Sequence, residues 1–263
     1  MDAYRMLYSY LDTLPHARDS RHAASCRLGN GKTLVLFIHG IQGSPSQFDW
    51  LIDLLKPDTD FINVLLKGHG STAADFRSCG RKEWEQQLQG LAHHAAALYQ
   101  HIIVVGHSMG CLLALKTFRS PPACTVSLIL WNAPFAIRPT LRYVRSGFLA
   151  LSRRPSANPH VRASQQANSL LSRNPLAYLF SIRPYWDLLR LIHDERKSAL
   201  PCPCPVEAFF CDEDEIVSPR SMAISTSKGF HTQMLAGCSH NHLTSEAQLQ
   251  IQQTFLRILS QSK

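Results

Sequence analysis

An α/β fold built on a doubly wound, mostly parallel sheet, with a helical lid inserted late in the chain, is the architecture this sequence predicts. Three observations predict it. Short apolar runs recur between amphipathic helical stretches, as happens where strands are buried on both faces and helices cover them. That rhythm fades from Pro134 to about Pro205 and then resumes. The composition, 45% hydrophobic and 17% charged over 263 residues, is that of a globular chain long enough to bury a full core.

The run TLVLFIH at 33–39 is β-branched and aromatic and closes on Gly40, which predicts a buried strand followed by the loop GIQGSPSQF. Phe48, Leu51, Leu54 and Leu55 then stand at helical spacing across 46–55, and Pro57 stops the pattern. FINVLL at 61–66 is a second strand, ended by KGHGS. Trp84, Leu88, Leu91, Ala95 and Leu98 share one face of a helix over 82–99, ahead of the strand IIVVG at 102–106. The chain turns at once into CLLALKTF, which holds no helix breaker, and a strand over 126–131 follows. VEAFFC at 206–211 and the HTQMLAG stretch continue the sheet, and a last amphipathic helix runs over 246–259. Strands separated by helices imply right-handed parallel crossovers. Residues 1–133 and 206–263 therefore form the predicted core, and residues 134–205 the lid. The segment before residue 33 is expected to add an edge strand or to pack across the sheet.

No run approaches the roughly 18 apolar residues of a membrane helix, and the opening MDAYRMLYSYLDTLPHARDS lacks the apolar centre of a signal peptide. The eight cysteines are scattered in a chain that needs no staples, so reduced thiols and a cytoplasmic location are expected. Cys202 and Cys204 make a C-x-C pair with no second pair at zinc-finger distance, and no metal or other cofactor is expected. The net charge is +8, and residues 134–200 alone carry eleven basic against three acidic residues. That is first of all a solvated helical face. No nucleic-acid-binding motif accompanies it.

Gly106-His107-Ser108-Met109-Gly110 is a G-x-S-x-G lying directly between a strand and a helix. At such an elbow the serine takes a strained backbone conformation and is held exposed at the carboxyl edge of the sheet, while the glycines let strand and helix pack closely. The amide of Met109, at the positive end of the helix, points where an oxyanion would form, and the amide of Ile41 is expected to be its partner. A serine hydroxyl needs a base and a group to orient that base. Asp214, in FFCDEDEIVSP, is the candidate acid, with Asp212, Glu213 and Glu215 as competitors. His240, in AGCSHNHLT, is the candidate base, with His242 two residues on.

Taken together, HGIQGSPSQF, LKGHGST, GHSMG, DEDEIVSP and GCSHNHLT resemble the α/β-hydrolase superfamily, in the branch of carboxylesterases, monoacylglycerol lipases and serine aminopeptidase-like proteins. The resemblance runs from about residue 33 to the end and is weakest in the lid. It implies the α/β-hydrolase fold, selects Asp214 and His240 as partners of Ser108, and assigns the oxyanion pair to Ile41 and Met109. Cys211 and Ser239 depart from the glycines common at those places.

The expected activity is cleavage of a carboxylic ester through an acyl-enzyme intermediate. Acyl transfer, thioester or peptide cleavage, or a non-catalytic ligand-binding homologue are the alternatives, since a fold does not decide among chemistries. His69 and His107 are read as loop-shaping residues near the site. Gly40, His107 and Phe135 are the residues expected to border the substrate. Leu141, Tyr143, Phe148, Leu149, Tyr178, Leu179, Phe180, Tyr185 and Trp186 are further candidates for an acyl pocket, and the lid arginines suggest an anionic or lipid-like ligand.

Overall fold

The structure is a computed structural model that describes residues 3–29, 31–120, 123–138, 156–172, 180–199 and 201–262. Among them stand seven strands, β1 (Ser25–Arg27), β2 (Thr33–Ile38), β3 (Asp60–Val64), β4 (His101–His107), β5 (Thr125–Trp131), β6 (Val206–Cys211) and β7 (His231–Leu235). They form one sheet in the order β1-β3-β2-β4-β5-β6-β7, parallel except for β1, which pairs antiparallel with β3. The predicted fold class is therefore observed.

Alternation along each strand divides the core in two. Leu34, Leu36, Ile38, Ile102, Val104, Leu128 and Leu130 face one side. There they meet α1 (Ala3–Leu11), α4 (Arg81–Ala96) and α5 (Met109–Thr117). Val35, Phe37, Ile103, Val105, Ile129, Trp131 and Phe209 face the other, against Phe48 and Leu51 and the helix that closes the chain, α9 (Ser245–Gln261). Each such side chain, fully buried, contributes about 1.5–3 kcal/mol, which is why both faces of the sheet must be covered.

The segment ahead of β2 adds the expected edge strand, β1, while α1 packs on α4. The helix expected over 46–55 is shorter. A 3₁₀ turn at Pro45–Phe48, capped by Ser44, leads into α2 (Asp49–Ile52). Leu54 and Leu55 already bond three residues back, to Leu51 and Ile52, as the chain tightens toward Pro57. Two short helices carried too few apolar positions to be read from the sequence, α3 (Ala73–Ser78) and α8 (Arg220–Ser227).

Between β5 and β6 the described residues include α6 (Pro159–Ala167) and α7 (Ile182–Lys197). Asn158 caps α6 through the amides of His160 and Val161. Arg183 ties α7 to Glu83 of α4 at 2.8 Å, and Arg81 reaches Asp194 at 2.6 Å. Leu141, Tyr143, Phe148, Leu149, Tyr178 and Leu179 lie outside the described residues.

Sheet order places the functional region. The chain runs from β2 outward to β3 and then returns to β4 on the other side of β2, so the loops leaving β2 and β4 diverge. Ligands bind at such a switch point, beyond the carboxyl ends of the strands.

Candidate active site

Ser108 follows β4 and precedes α5 with φ 52° and ψ −122°, a conformation that strains any residue other than glycine. The elbow holds because its neighbours leave no room to relax. A Cβ at Gly110 would stand 2.1 Å from the carbonyl oxygen of Ile38, and one at Gly106 3.0 Å from the backbone of Cys111. The amide of Ser108 donates to the carbonyl of Trp131 at 3.1 Å, fixing the turn to β5.

His240 Nε2 lies 3.0 Å from Ser108 Oγ, and His240 Nδ1 lies 2.8 Å from Asp214 Oδ2. All three side chains are buried. Asp214 Oδ1 accepts from the amides of Ile216 and Val217, both at 2.7 Å. Burial opposes charge on Asp214, but the His240 charge, its hydrogen bond and these two amides outweigh burial and lower its pKa below the ordinary carboxylate value. Burial likewise opposes charge on His240, and the Asp214 carboxylate, its hydrogen bond and the Glu215 charge together raise its pKa above that of a free imidazole. Both shifts favour an imidazolium held against a carboxylate. With Nδ1–H donated to Asp214, Nε2 is left to accept from the serine hydroxyl.

Of the competing residues, Glu215 borders the cleft and accepts from the main-chain amide of His240, and the others stand elsewhere. Asp212 is exposed and accepts from the amide of Cys238 at 3.2 Å, and Glu213 is exposed too. His242 packs edge-on against His160 of α6, with ring centres 4.8 Å apart.

Ile41 follows β2 in a loop that two neutral histidines hold. His39 Nδ1–H donates to the carbonyl of Gly40 at 2.8 Å and its Nε2 accepts from the amide of Leu66 at 3.0 Å. His69 Nε2 accepts from the amide of Gln42 at 3.0 Å. Burial depresses both rings, His39 well below the ordinary value and His69 to about 4, so they remain hydrogen-bond fixtures and not proton carriers near neutral pH. Gly40 approaches the serine so closely that a Cβ there would stand 2.9 Å from Ser108 Cβ. Met109 is the first residue of α5, where a helix leaves its amides free of intrahelical partners.

His107 donates from Nε2 to the carbonyl of His240 at 2.9 Å, and burial, then the neighbouring His240 charge, depress its pKa to about 3. Two further residues around His240 gave no motif in the sequence. Asn132, fully buried with φ 56°, accepts from the amide of Cys211 at 2.9 Å and donates to the carbonyl of His240 at 3.2 Å, so it joins the ends of β5 and β6 to the histidine loop. Arg138 donates from Nη2 to the carbonyl of Asp214 at 2.7 Å. An asparagine directly after an apolar strand, a residue type that tolerates positive φ, is the signal in the sequence that could have drawn attention to Asn132.

A cleft of about 470 Å³ opens above Ser108. Gly40, Ile41, His107, Ser108 and His240 form its floor. The lining mixes apolar residues, Leu188, Leu189 and Ile192 of α7 with Pro134, Ile137 and Ile216, with polar ones, Gln42, Gln47, Ser164, Asn168 and Asn241, and the charged Arg138 and Glu215. Tyr185 lines it as well, bonded to Gln42 Nε2. Phe135 does not. Pro134 turns into the cleft and the next side chain points back into the core, where Phe135 is fully buried against Phe230, with ring centres 6.3 Å apart. Phe180 and Trp186 are exposed and are not cleft residues either.

Fold and site define a doubly wound α/β protein that presents a serine on a strand-to-helix elbow, within reach of a histidine and a buried carboxylate. The chain belongs to the alpha/beta hydrolase family, whose sequence model matches residues 35–251. Solved structures similar to it include one of a pair of metagenome-derived lipolytic enzymes, at 17% identity and a TM-score of 0.69, covering 94% of this chain and all of that one. A monoacylglycerol lipase of Paleococcus ferrophilus is 15% identical with a TM-score of 0.62, covering 91% of this chain and 98% of the other. A carboxylesterase structure from Nitrososphaera gargenis is 15% identical with a TM-score of 0.60, covering 95% and 100%. Among curated proteins, a probable alcohol acetyltransferase of Cyberlindnera fabianii is 23% identical over 136 residues. That match takes in 51% of this chain and 36% of the relative, so the chain spans little more than a third of that protein.

Proposed function

We propose that this protein is a serine hydrolase that cleaves a carboxylic ester through an acyl-enzyme intermediate, with Ser108 as nucleophile, His240 as base and acid, and Asp214 as the group that orients the imidazole. The observation that carries the reading is the unbroken hydrogen-bonded line from Ser108 Oγ through His240 to Asp214, at 3.0 and 2.8 Å, on the floor of a cleft. Ser108 Oγ attacks the carbonyl carbon while its proton passes to His240 Nε2, and the amides of Ile41 and Met109 receive the oxyanion. The protonated His240 then gives its proton to the departing alkoxide. Water, deprotonated by the same nitrogen, releases the acid and restores the serine. A cleft of about 470 Å³ lies within the roughly 300–1,000 Å³ typical of small-molecule sites. Residues 134–205 act as the lid of that cleft in this reading, because Leu188, Leu189 and Ile192 of α7 contribute to its lining.

The lid's basic excess favours an anionic or lipid-like ester, in which case activity falls as salt rises. Eight free cysteines suit a reducing, cytoplasmic setting. A second reading, acyl transfer to an alcohol, is favoured by the partial likeness to the acetyltransferase. It shares the first half-reaction and differs in the acceptor.

The test is labelling by a fluorophosphonate probe and hydrolysis of p-nitrophenyl esters of graded length by the native chain, Ser108→Ala, Asp214→Asn and His240→Ala. Labelling at Ser108 with loss of turnover in the variants supports the reading. A folded native protein that neither labels nor turns over an ester refutes it. Added ethanol that diverts the acyl group to an ethyl ester in preference to free acid identifies the transferase.

A further inference from the structure

His240 is held by more than Asp214. Its main-chain amide donates to Glu215 Oε2 at 3.2 Å, and its main-chain carbonyl accepts from both His107 and Asn132. Glu215 is a buried carboxylate that also borders the substrate cleft, and it follows Asp214 directly in the chain. A carboxylate is removed from water only at a cost, so one retained beside a histidine that must become cationic has a physical reason to be there.

We propose that Glu215 is a positioning residue that acts through His240, its carboxylate holding the histidine's main-chain amide and adding a second negative charge to steady the imidazolium. The inference rests on the reading of His240 as the base for Ser108.

Among the described residues, Asp214 and Glu215 are the carboxylates whose charges raise the pKa of His240. From the end of β4, His107 faces it with ring centres 4.9 Å apart, but that ring is neutral above about pH 3. From beyond β5, Arg138 lines the same cleft and donates to the Asp214 carbonyl, with no hydrogen bond to the imidazole. From α6, Ser164 meets the neighbouring Asn241, and His160 meets His242, with Arg162 near that second pair. From the loop after β6, Asp212 is turned to Cys238, and Glu213 is exposed with its amide on the Cys238 carbonyl. The Asp214 carboxylate and the Glu215 charge both raise the pKa of His240 against its burial.

The interaction that raises the pKa of a resting imidazole is the one that stabilises the imidazolium in the transition state. Removing the charge while keeping an amide acceptor, in Glu215→Gln, should therefore move the acid limb of kcat/KM to lower pH by about one unit and lower the plateau about tenfold. The two effects cancel on the acid side, so the native and variant curves converge below the limb. A loss of geometry alone would lower the whole profile in parallel.

The experiment is the pH profile of kcat/KM from pH 4.5 to 9 on a short p-nitrophenyl ester, for the native chain, Glu215→Gln, Glu215→Asp and Glu213→Gln. Convergence of the Glu215→Gln curve, a smaller downward displacement of the limb for Glu215→Asp, and an unmoved limb for the exposed Glu213→Gln are expected. An unshifted limb in a folded Glu215→Gln overturns the proposal. Should that variant not fold, a smaller downward displacement in Glu215→Asp, whose charge is drawn back by one methylene, supports it, and an unmoved limb there overturns it. Native-level turnover in Ser108→Ala would instead show that the catalytic reading beneath it is wrong.

Discussion

Gly40→Ala is the substitution from which the geometry allows most to be worked out. The added Cβ would stand 2.9 Å from Ser108 Cβ, 3.3 Å from the carbonyl oxygen of His107 and 3.5 Å from Ser108 Oγ. Carbon atoms in contact prefer about 3.5–4.0 Å, so about 0.6–1.1 Å of separation must be found. The elbow cannot supply it, because Gly110 is pressed against the Ile38 carbonyl and Ser108 is already held at φ 52°. The loop carrying Ile41 must move, and with it the amide assigned to the oxyanion. Losing one such donor costs about 100- to 1,000-fold in turnover, and a misplacement of ~1 Å costs about 100-fold. The expected result is a fall of about 100-fold in kcat on a p-nitrophenyl ester with KM little changed, and a melting temperature within a few degrees of native. Turnover within threefold of native would refute the role given to this loop.

Gly110→Ala makes the contrasting case: a Cβ 2.1 Å from a backbone oxygen of β2 forces α5 off the sheet, and thermal melts should show a loss of about 3 kcal/mol or more, or no soluble protein. Asp214→Asn should lower kcat by about 10⁴-fold with the fold kept, because an amide in that place no longer selects the Nδ1–H form of His240. In the native chain the raised pKa of His240 places the acid limb of kcat/KM above the ordinary imidazole value of ~6.5, with activity lost as pH falls through it. Glu195, fully buried on α7, is paired with Arg119, and burial raises its pKa. Arg119→Met should cost about 3 kcal/mol at pH 7, since it strands a buried carboxylate. That deficit should shrink on acidification, because a group whose folded pKa exceeds its unfolded one stabilises the fold as it takes up its proton. A melting deficit that does not change with pH would count against this account.

How much of the site could be read in the chain differs from residue to residue. Ser108 was legible because strand, glycine, serine, glycine and helix are adjacent in sequence, and local backbone strain has a local signature. Asp214 and His240 lie 106 and 132 residues further on. Spacing alone left four acidic residues and two histidines open, and only the resemblance to a family chose among them. Phe135 was misplaced for the same reason in miniature: an aromatic residue at the start of an insertion gives no sign of which way Pro134 will turn the chain.

By itself the sequence determined the elements and their kind. Runs such as TLVLFIH and IIVVG are short, apolar and β-branched as central parallel strands are, and the apolar faces of α4 and α9 are buried in the clusters on the two sides of that sheet. Tertiary structure alone decided which carboxylate meets which histidine, that the Asn132 amide and His107 ring converge on the His240 carbonyl, and that Glu215 reaches the His240 amide. The physical reason is range. Hydrophobic period and backbone strain are properties of a few consecutive residues, whereas a hydrogen bond between loops depends on strand order and crossover direction, and these bring together residues that no local pattern connects.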